Sequence, residues 1–184
     1  CFPPPFPAEL WWNVEQLNNH VNIFPEGAHC IEVGGSLAGS ITGLIVNWSP
    51  QDEDHRWSDI TDSGYIRNHD PKGNTLYLVD ISVRPRFRKL GVGKQLMFSM
   101  YNTVVALGLD RLLGGARMPG YHHVASKMSV DDYLENILKG QIQDPIVTFL
   151  LRCDRVPLHI VRDYLVDEES ANSAVLMEWR NPFK

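Results

Sequence analysis

Cysteine is scarce in this sequence, and the few cysteines are not arranged in pairs. The 184 residues include three, Cys1, Cys30 and Cys153, with no CxxC spacing, and an odd number does not make a disulfide framework. We therefore expect a reduced, cytoplasmic protein in which Cys30, inside a strand-like run, is a small buried hydrophobe. The seven histidines show no HExxH and no Cys/His spacing for zinc, so we expect no metal site.

Long apolar runs and a general excess of positive charge are also missing. The longest apolar runs, such as 38–48, contain Gly, Ser or Asn and fall short of the ~20 residues that a membrane span needs. No signal segment precedes them, so we expect no membrane partner. The formal net charge of −5 is unlike that of a general nucleic-acid binder, which carries a basic face. We expect a single domain over 1–184, with a proline-rich arm at 1–7 that cannot be helical.

Local patterns predict an α/β chain of strands and helices. Strands are predicted at 29–33, 37–48, 76–83, 111–116, 158–162 and 174–179, with Gly34-Gly35 as a hairpin turn between the first two. Helices are predicted from 7 or 8 to about 21, from near 91 to a stop at Gly108, from 130 to about 138 behind a Ser129 cap, and from about 145 to 152. Leu10, Val14, Leu17 and Val21 recur at helical spacing in the first helix, and we expect this face to pack on the sheet.

The most distinctive stretch is VRPRFRKLGVGK at 83–94, which follows a strand and opens a helix. Five of its twelve residues are basic. A helix N-terminus offers unpaired N–H groups and a partial positive charge, so this arrangement is typical of a phosphate site. The Walker pattern fails at Arg88 and Gln95, and the Rossmann pattern fails at Leu96, where a third glycine is needed. The alternative is a basic turn that caps an ordinary helix.

The stretch resembles motif A of the GCN5-related N-acetyltransferase (GNAT) superfamily through Val83, Pro85, Arg88, Gly91 and Gly93. The resemblance implies a central, mostly antiparallel sheet flanked by helices. It also implies that the loop's backbone amides hold the pyrophosphate of coenzyme A, and that the strand edge before the loop pairs with the pantetheine arm. The coenzyme-binding residues implied are Ile81, Ser82, Val83, Arg88, Lys89, Leu90, Gly91, Val92, Gly93 and Lys94.

The resemblance extends over nearly the whole chain from about residue 25. DHRWSDIT at 54–61, GGARMPGYH at 114–122 and AVLMEWRNP at 174–182 are similar to the acetyltransferase domain found fused ahead of carbon–nitrogen hydrolases. There are two departures from that pattern. The chain ends at Lys184, where a hydrolase would begin, and RCDRVPL at 152–158 replaces an Asn-Gly-Phe-type turn. We therefore carry over no amidase chemistry.

Acetyl transfer to an amine needs a base for the ammonium and a proton for the departing thiolate. Asp80 is the candidate base or ammonium anchor. Strand alternation places it on one face with Leu76, Leu78 and Ser82, where partial burial would raise its pKa. The alternative is that Asp80 pairs with a nearby Arg or caps a backbone group.

Candidates for the proton donor follow the next strand, where the resemblance places the far wall of the active site. Tyr121 and His122 are the catalytic candidates there, and a loop packed on the sheet is the alternative for both. Tyr133 is a weaker candidate, because helical spacing alone could put it in the core.

The long polar stretch at 49–74 could line an acceptor pocket with His55, His69, Asp54 and Asp62, although loop histidines are more often plain surface residues. Its acidic residues would suit a cationic amine, and they would equally suit an ordinary surface. Trp11 and Trp12 are expected to close the core or a dimer contact rather than to bind a ligand.

Together these features predict an N-acyltransferase that uses acetyl-CoA as co-substrate. We expect a small-molecule or peptide amine to attack the thioester directly in a ternary complex. The alternative is a non-catalytic, acyl-CoA-binding or regulatory module. The sequence leaves open whether the protein forms a homodimer, and we expect no nucleic-acid partner.

Overall fold

The structure is a computed structural model that describes residues 11–184. The proline-rich arm, Leu10 and the predicted start of the first helix lie outside the described residues. The helices are Val14–Ile23 (α1), Trp57–Ile60 (α2), Val92–Ala106 (α3), Val130–Leu138 (α4) and Val147–Leu151 (α5). The strands are Ala28–Val33 (β1), Ser36–Val46 (β2), Thr75–Val83 (β3), Arg111–Arg117 (β4), Val156–Val161 (β5) and Ala174–Arg180 (β6).

The strands form a six-stranded mixed sheet in the order β1-β2-β3-β4-β6-β5. The pairs β1–β2, β2–β3 and β5–β6 are antiparallel, and helices flank the sheet. This confirms the predicted fold class. No helix within residues 11–184 combines the length and apolar character needed to cross a bilayer.

The described chain divides into two compact units. The first comprises 11–48, Ser58–Leu112 and Arg180–Lys184, and the second comprises Ser49–Trp57 and Leu113–Trp179. The single domain over 1–184 stays a prediction. It would be tested by whether the two units unfold cooperatively.

The β1–β2 hairpin forms as its two glycines predict. Gly34 and Gly35 both have positive φ, 56° and 71°, as a two-residue turn with the twist of the flanking strands requires. The prediction that Cys30 is buried is wrong, because its thiol side chain is exposed. The physical reason is that β1 is an edge strand of the sheet, so it has a neighbouring strand on one side only.

A register shift between β2 and β3 changes which residues share a face. Thr42 pairs with Asp80 and Gly43 pairs with Leu78, so Val79 is an extra residue in β3. Paired residues lie on the same face, whereas neighbours within a strand lie on opposite faces. Asp80 and Leu78 therefore point to opposite sides of the sheet. The prediction that Asp80 shares a face with Leu76 and Leu78 is wrong.

Helix α3 covers the face of β2 that carries Gly39 and Gly43. A Cβ atom on Gly43 would meet Met100 Cε at 2.8 Å, and one on Gly39 would meet Leu96 Cδ1 at 3.1 Å. Because Gly39 and Gly43 have no side chains, the buried apolar face of α3 can approach β2 closely at these two positions. Asp80 lies on the opposite face of the first unit's strands.

Helix α1 begins at Val14, later than predicted, because Asn13 forms a capping box with Gln16. The prediction that its apolar face packs on the sheet is wrong, since Val14 is 74% exposed and Leu17 and Val21 are also exposed. The polar side of the helix makes the tertiary contacts instead. Gln16, Asn19 and His20 donate hydrogen bonds to the carbonyl oxygens of the turn at 63–65.

The second unit is organised around buried polar groups. Ser129 caps α4 in a capping box with Asp132, and the helix runs from Val130 to Leu138, in agreement with the predicted bounds. Asp144 is fully buried and accepts four hydrogen bonds, from Tyr133 Oη and the N–H groups of Gly120, Ile146 and Val147. These bonds fix the loop before α5 against the loop that follows β4.

Candidate functional site

The basic loop begins directly after β3 with one short helical turn, Pro85–Phe87. Its path is held by the protein's own backbone, because Arg84 N–H donates to Ala38 O at 2.9 Å and Arg88 Nε donates to Val83 O at 3.1 Å. Lys89 and Gly91 then adopt left-handed backbone conformations, with φ of 62° and 82°. A non-glycine residue such as Lys89 is uncommon there, and Gly91 is the N-cap of α3.

The first turn of α3 leaves its backbone donors open. Gln95 N–H is the first to bond back, to Gly91 O at 3.0 Å. Gly91 has no side chain to cap the helix, and within residues 11–184 no group accepts from the N–H groups of Val92, Gly93 and Lys94. Three amide donors at the positive end of a 15-residue helix form a site for an anion.

Basic side chains of the loop and of the first helical turn lie near these donors in sequence, and no ion pair within residues 11–184 neutralises them. Arg84, Arg86, Lys89 and Lys94 are exposed, and no carboxylate within residues 11–184 forms an ion pair with them. Arg86 lies over the ring of Phe87 and Lys94 over that of Phe98, at 4.6 Å and 5.2 Å from the ring centroids. The loop therefore carries local positive charge in a chain that is acidic overall.

The strand residues that precede the loop differ in accessibility. Ile81 and Val83 are half-buried and pair with Ile41 and Gly39 of β2. Ser82 is buried, and its hydroxyl donates to Asp80 Oδ2 at 2.8 Å. The assignment of these strand residues and of the loop to coenzyme A, including exposed Leu90, stays a prediction.

Asp80 is a half-buried carboxylate that accepts hydrogen bonds from uncharged donors. Burial raises its pKa to about 6, while hydrogen bonds from Ser82, Trp12 and the Ile81 backbone act in the opposite direction. No Lys or Arg within residues 11–184 forms an ion pair with it, so the Arg pairing considered above is not found there. A carboxyl group with this pKa is divided between its acid and base forms near neutral pH, which suits proton transfer.

Trp12 is a neighbour of Asp80 that sequence reasoning missed. Its indole Nε1 lies 3.5 Å from Asp80 Oδ2, and its ring meets the ring of His20 edge to face at 5.1 Å. Trp12 was expected to close the core or a dimer contact. No sequence signal could have linked it to Asp80, because 68 residues separate the two.

Tyr121 and His122 belong to the second unit, where they start a short helical turn after β4. Tyr121 is buried, and its hydroxyl donates to Met128 O at 3.0 Å. His122 is exposed, and its Nδ1 lies 2.5 Å from Pro119 O. Their catalytic roles stay predictions. Tyr133, the weaker candidate, is a core residue whose hydroxyl donates to Asp144, and burial together with that carboxylate raises its pKa.

Three of the candidates in the long polar stretch have structural contacts. Asp62 forms a two-point ion pair with Arg67. His69 Nδ1 accepts from Ile45 N–H at 3.1 Å. His55 belongs to the second unit, where it bonds to Asp52 O and meets the ring of Tyr164 edge to face. Within residues 11–184 no cluster of three or more His, Cys, Asp or Glu side chains is placed to hold a metal ion.

Comparison with known proteins identifies relatives over the full length of the chain. Residues 1–119 match the model of the acetyltransferase (GNAT) family. The chain is 52% identical to the uncharacterized N-acetyltransferase YkwB of Bacillus subtilis (strain 168) over 183 residues, which are 100% of this chain and 81% of that protein. It is also 37% identical to the probable hydrolase YhcX of the same organism, over 98% of this chain and 35% of that protein. The chain thus spans about a third of YhcX.

Solved structures share the fold at lower identity. The GphF GNAT-like decarboxylase in complex with isobutyryl-CoA superposes with a TM-score of 0.83 at 21% identity, over 96% of this chain and 89% of that one. The loading GNATL domain of CurA from Lyngbya majuscula gives 0.82 at 17% identity, over 96% and 87%. At these identities the likeness concerns the fold.

Proposed function

The chain belongs to the acetyltransferase (GNAT) family, and from this premise we propose that it is an N-acetyltransferase that transfers the acetyl group of acetyl-CoA to an amine. The observation that carries the proposal is the start of α3. There the N–H groups of Val92, Gly93 and Lys94 lack acceptors within residues 11–184 and lie behind a left-handed Gly91. A pyrophosphate supplies the oxygen acceptors that such donors need, and coenzyme A carries one.

The proposed reaction is a direct attack within a ternary complex. Asp80 takes one proton from the acceptor's ammonium group, and the free amine nitrogen attacks the thioester carbon. As the C–S bond breaks, the nitrogen loses a second proton and the thiolate is protonated, so that one proton is released overall. Tyr121 and His122 are the candidates for the proton that reaches the thiolate. The acceptor would be a small-molecule or peptide amine, and a cytoplasmic location stays a prediction.

A non-catalytic acyl-CoA-binding module is the alternative hypothesis. The interactions of Asp80 distinguish the enzyme from the module. A carboxylate tied up in a structural ion pair would favour the module. Asp80 instead has no cation beside it within residues 11–184 and has a pKa raised by burial to about 6. Both features support the enzymatic proposal.

The test is release of free thiol from acetyl-CoA with a panel of amines and peptides, combined with calorimetric titration of the coenzyme. Isobutyryl-CoA serves as a second donor. We expect thiol release that depends on an amine, and kcat/KM should fall as the pH drops below about 6, because Asp80 becomes protonated there. Coenzyme binding without release for any amine would favour the module, and absence of binding would refute both.

The matched variant is Asp80→Asn, which keeps the size of the side chain and removes the base. We expect kcat to fall by about 100-fold or more, as loss of a general base typically does. The Kd for coenzyme A should change by less than about 3-fold, because the loop donors are untouched. An Asp80→Asn protein with normal kcat would remove Asp80 from the mechanism.

A further inference from the structure

Within residues 11–184, the shortest side-chain hydrogen bond to Asp80 comes from Ser82. The two residues are two apart in β3, so their side chains project from the same face of the strand. Ser82 Oγ donates to Asp80 Oδ2 at 2.8 Å, the usual length of a hydroxyl hydrogen bond. Trp12 Nε1 lies 3.5 Å from the same oxygen, where such a bond is weak. The carboxylate is therefore held mainly by its neighbour in the strand.

The hydroxyl of Ser82 has no other hydrogen-bond partner within residues 11–184. A hydroxyl has one proton to donate, and here that proton is directed to Asp80. Ser82 is 7% exposed, so water has little access to it. A coenzyme that took this proton would deprive Asp80 of the bond.

Proximity to Asp80 does not by itself produce such a bond. Thr42 of β2 pairs with Asp80, and Ser40 pairs with Ser82, so all four side chains lie on one face of the sheet. Neither Ser40 nor Thr42 donates a hydrogen bond to Asp80 in the described part of the chain. Of these three hydroxyl groups, that of Ser82 is the one bonded to the carboxylate.

The direction of the hydrogen bond determines its chemical effect. An O–H group that donates to a carboxylate stabilises the ionised form over the protonated form. Burial acts in the opposite sense and raises the pKa of Asp80 to about 6. Ser82 has the largest of the effects that lower this pKa, followed by Trp12, the Ile81 backbone and the positive charge of the amino terminus.

We propose that Ser82 is a positioning residue of the acetyl-transfer site, and that its hydroxyl holds Asp80 by Oδ2 in the orientation and the ionised form in which it accepts a proton. The inference rests on the proposed function, because Asp80 is taken to be the base. Without the hydroxyl, the carboxylate loses its shortest side-chain hydrogen bond, and burial keeps more of it protonated near neutral pH. Ser82 thus helps to set the pH above which the enzyme has a working base.

The first test measures the titration of Asp80 without any substrate. The aspartate carboxyl groups are labelled with 13C, and Asp80→Asn assigns the Asp80 signal by its disappearance. In Ser82→Ala we expect the midpoint of this signal to lie about one pH unit higher than in the unmodified protein, as expected when a hydrogen bond to a charged group is lost. An unchanged midpoint would overturn the inference.

Two further variants separate this hydrogen bond from other effects. Ser82→Thr keeps a hydroxyl at the same position and should keep the midpoint of the unmodified protein. Ser40→Ala removes a hydroxyl from the paired position of β2, which has no bond to Asp80, and should leave the midpoint unchanged. The amino terminus is common to all variants, so its charge cancels in the comparison. A shift of equal size in Ser40→Ala would refute the particular role of Ser82.

The second test is kinetic and uses whichever amine is acetylated. In Ser82→Ala the acid limb of kcat/KM should move to higher pH together with the Asp80 signal. This corresponds to a loss of about 5-fold near pH 6 and a much smaller loss at pH 8.5, where Asp80 is ionised in both proteins. The coenzyme Kd should stay within about 3-fold, because the backbone donors of α3 are unchanged. A higher coenzyme Kd with an unmoved acid limb would place the hydroxyl at the coenzyme and refute the proposal.

The outcome for Ser82 can be distinguished from the outcome for the proposed function. If no amine releases thiol but Ser82→Ala still raises the Asp80 midpoint, the proposed acetyl transfer fails and the control of Asp80 by Ser82 stands. If thiol is released but neither the midpoint nor the acid limb moves, acetyl transfer stands and the role of Ser82 is refuted.

Discussion

At the scale of single residues, the partner of a buried carboxylate decides its chemistry. Burial acts to raise the pKa of Asp167, but hydrogen bonds from Arg117 and Ser170 outweigh it, so the pKa lies below its ordinary value. Asp80 receives hydrogen bonds only from uncharged donors, and its pKa rises to about 6. The first carboxylate is a structural anion, whereas the second can exchange a proton near neutral pH.

His69 provides a residue-scale prediction about pH. Its Nδ1 accepts from Ile45 N–H, and burial lowers its pKa. A folded-state pKa below 6.5 means that its contribution to stability is complete above pH 6.5 and is lost as the pH falls from 6.5 through the folded-state pKa. In His69→Gln nothing titrates at this position. We expect the free energy of unfolding of the unmodified protein to fall more than that of His69→Gln between pH 7.5 and pH 5.5.

Urea unfolding at the two pH values measures this difference. Asp80 titrates with the opposite sign below pH 6, because its folded-state pKa is raised, but this contribution is common to both proteins and cancels. Equal pH dependence in the two proteins would show that His69 does not titrate as described.

At the scale of elements, the start of α3 depends on backbone conformation more than on charge. Gly91 at its N-cap and Gly108 after its C-terminus both have positive φ, 82° and 63°, and a Cβ would meet no atom within 4 Å at either position. Alanine at either glycine therefore introduces strain of about 1 kcal/mol without a clash. The two positions differ in that only Gly91 lies beside the open amide donors.

We expect Gly91→Ala to raise the coenzyme Kd at least about 10-fold, because backbone relaxation would turn donors away from the phosphate oxygens. Gly108→Ala should lose similar stability and keep normal affinity. Calorimetric titration and thermal unfolding check the pair. A Gly91→Ala protein with normal affinity would place the pyrophosphate elsewhere.

At the scale of the whole molecule, the open question is cooperativity. The chain has two compact units, whereas its length and composition predict one domain. We expect a single calorimetric transition with calorimetric and van't Hoff enthalpies that agree. Coenzyme at about 100 times its Kd should shift the whole transition upward, since such a ligand stabilises by about 2.7 kcal/mol. Two transitions, with only one shifted by coenzyme, would show that the units fold separately.

The sequence by itself determined the features whose physics is local. The Gly34-Gly35 turn, the Ser129 cap of α4 and the loop that opens α3 each depend on backbone preferences and hydrogen bonds within a few residues. The spacing of Val83, Pro85, Arg88, Gly91 and Gly93, together with similar segments along most of the chain, was sufficient to predict the family and with it the fold class.

Only the tertiary structure decided the features that depend on distant contacts. The extra residue Val79 in β3 places the side chain of Asp80 on the opposite face of the sheet from Leu76 and Leu78. No local sequence pattern marks this irregularity. Helix α1 turns its polar side inward because a turn more than 40 residues away accepts its hydrogen bonds. The contact between Trp12 and Asp80 arises in the same way. Local energies fix which elements form, but the neighbours that an element meets depend on packing of the whole chain, and the surroundings of Asp80 are made of such neighbours.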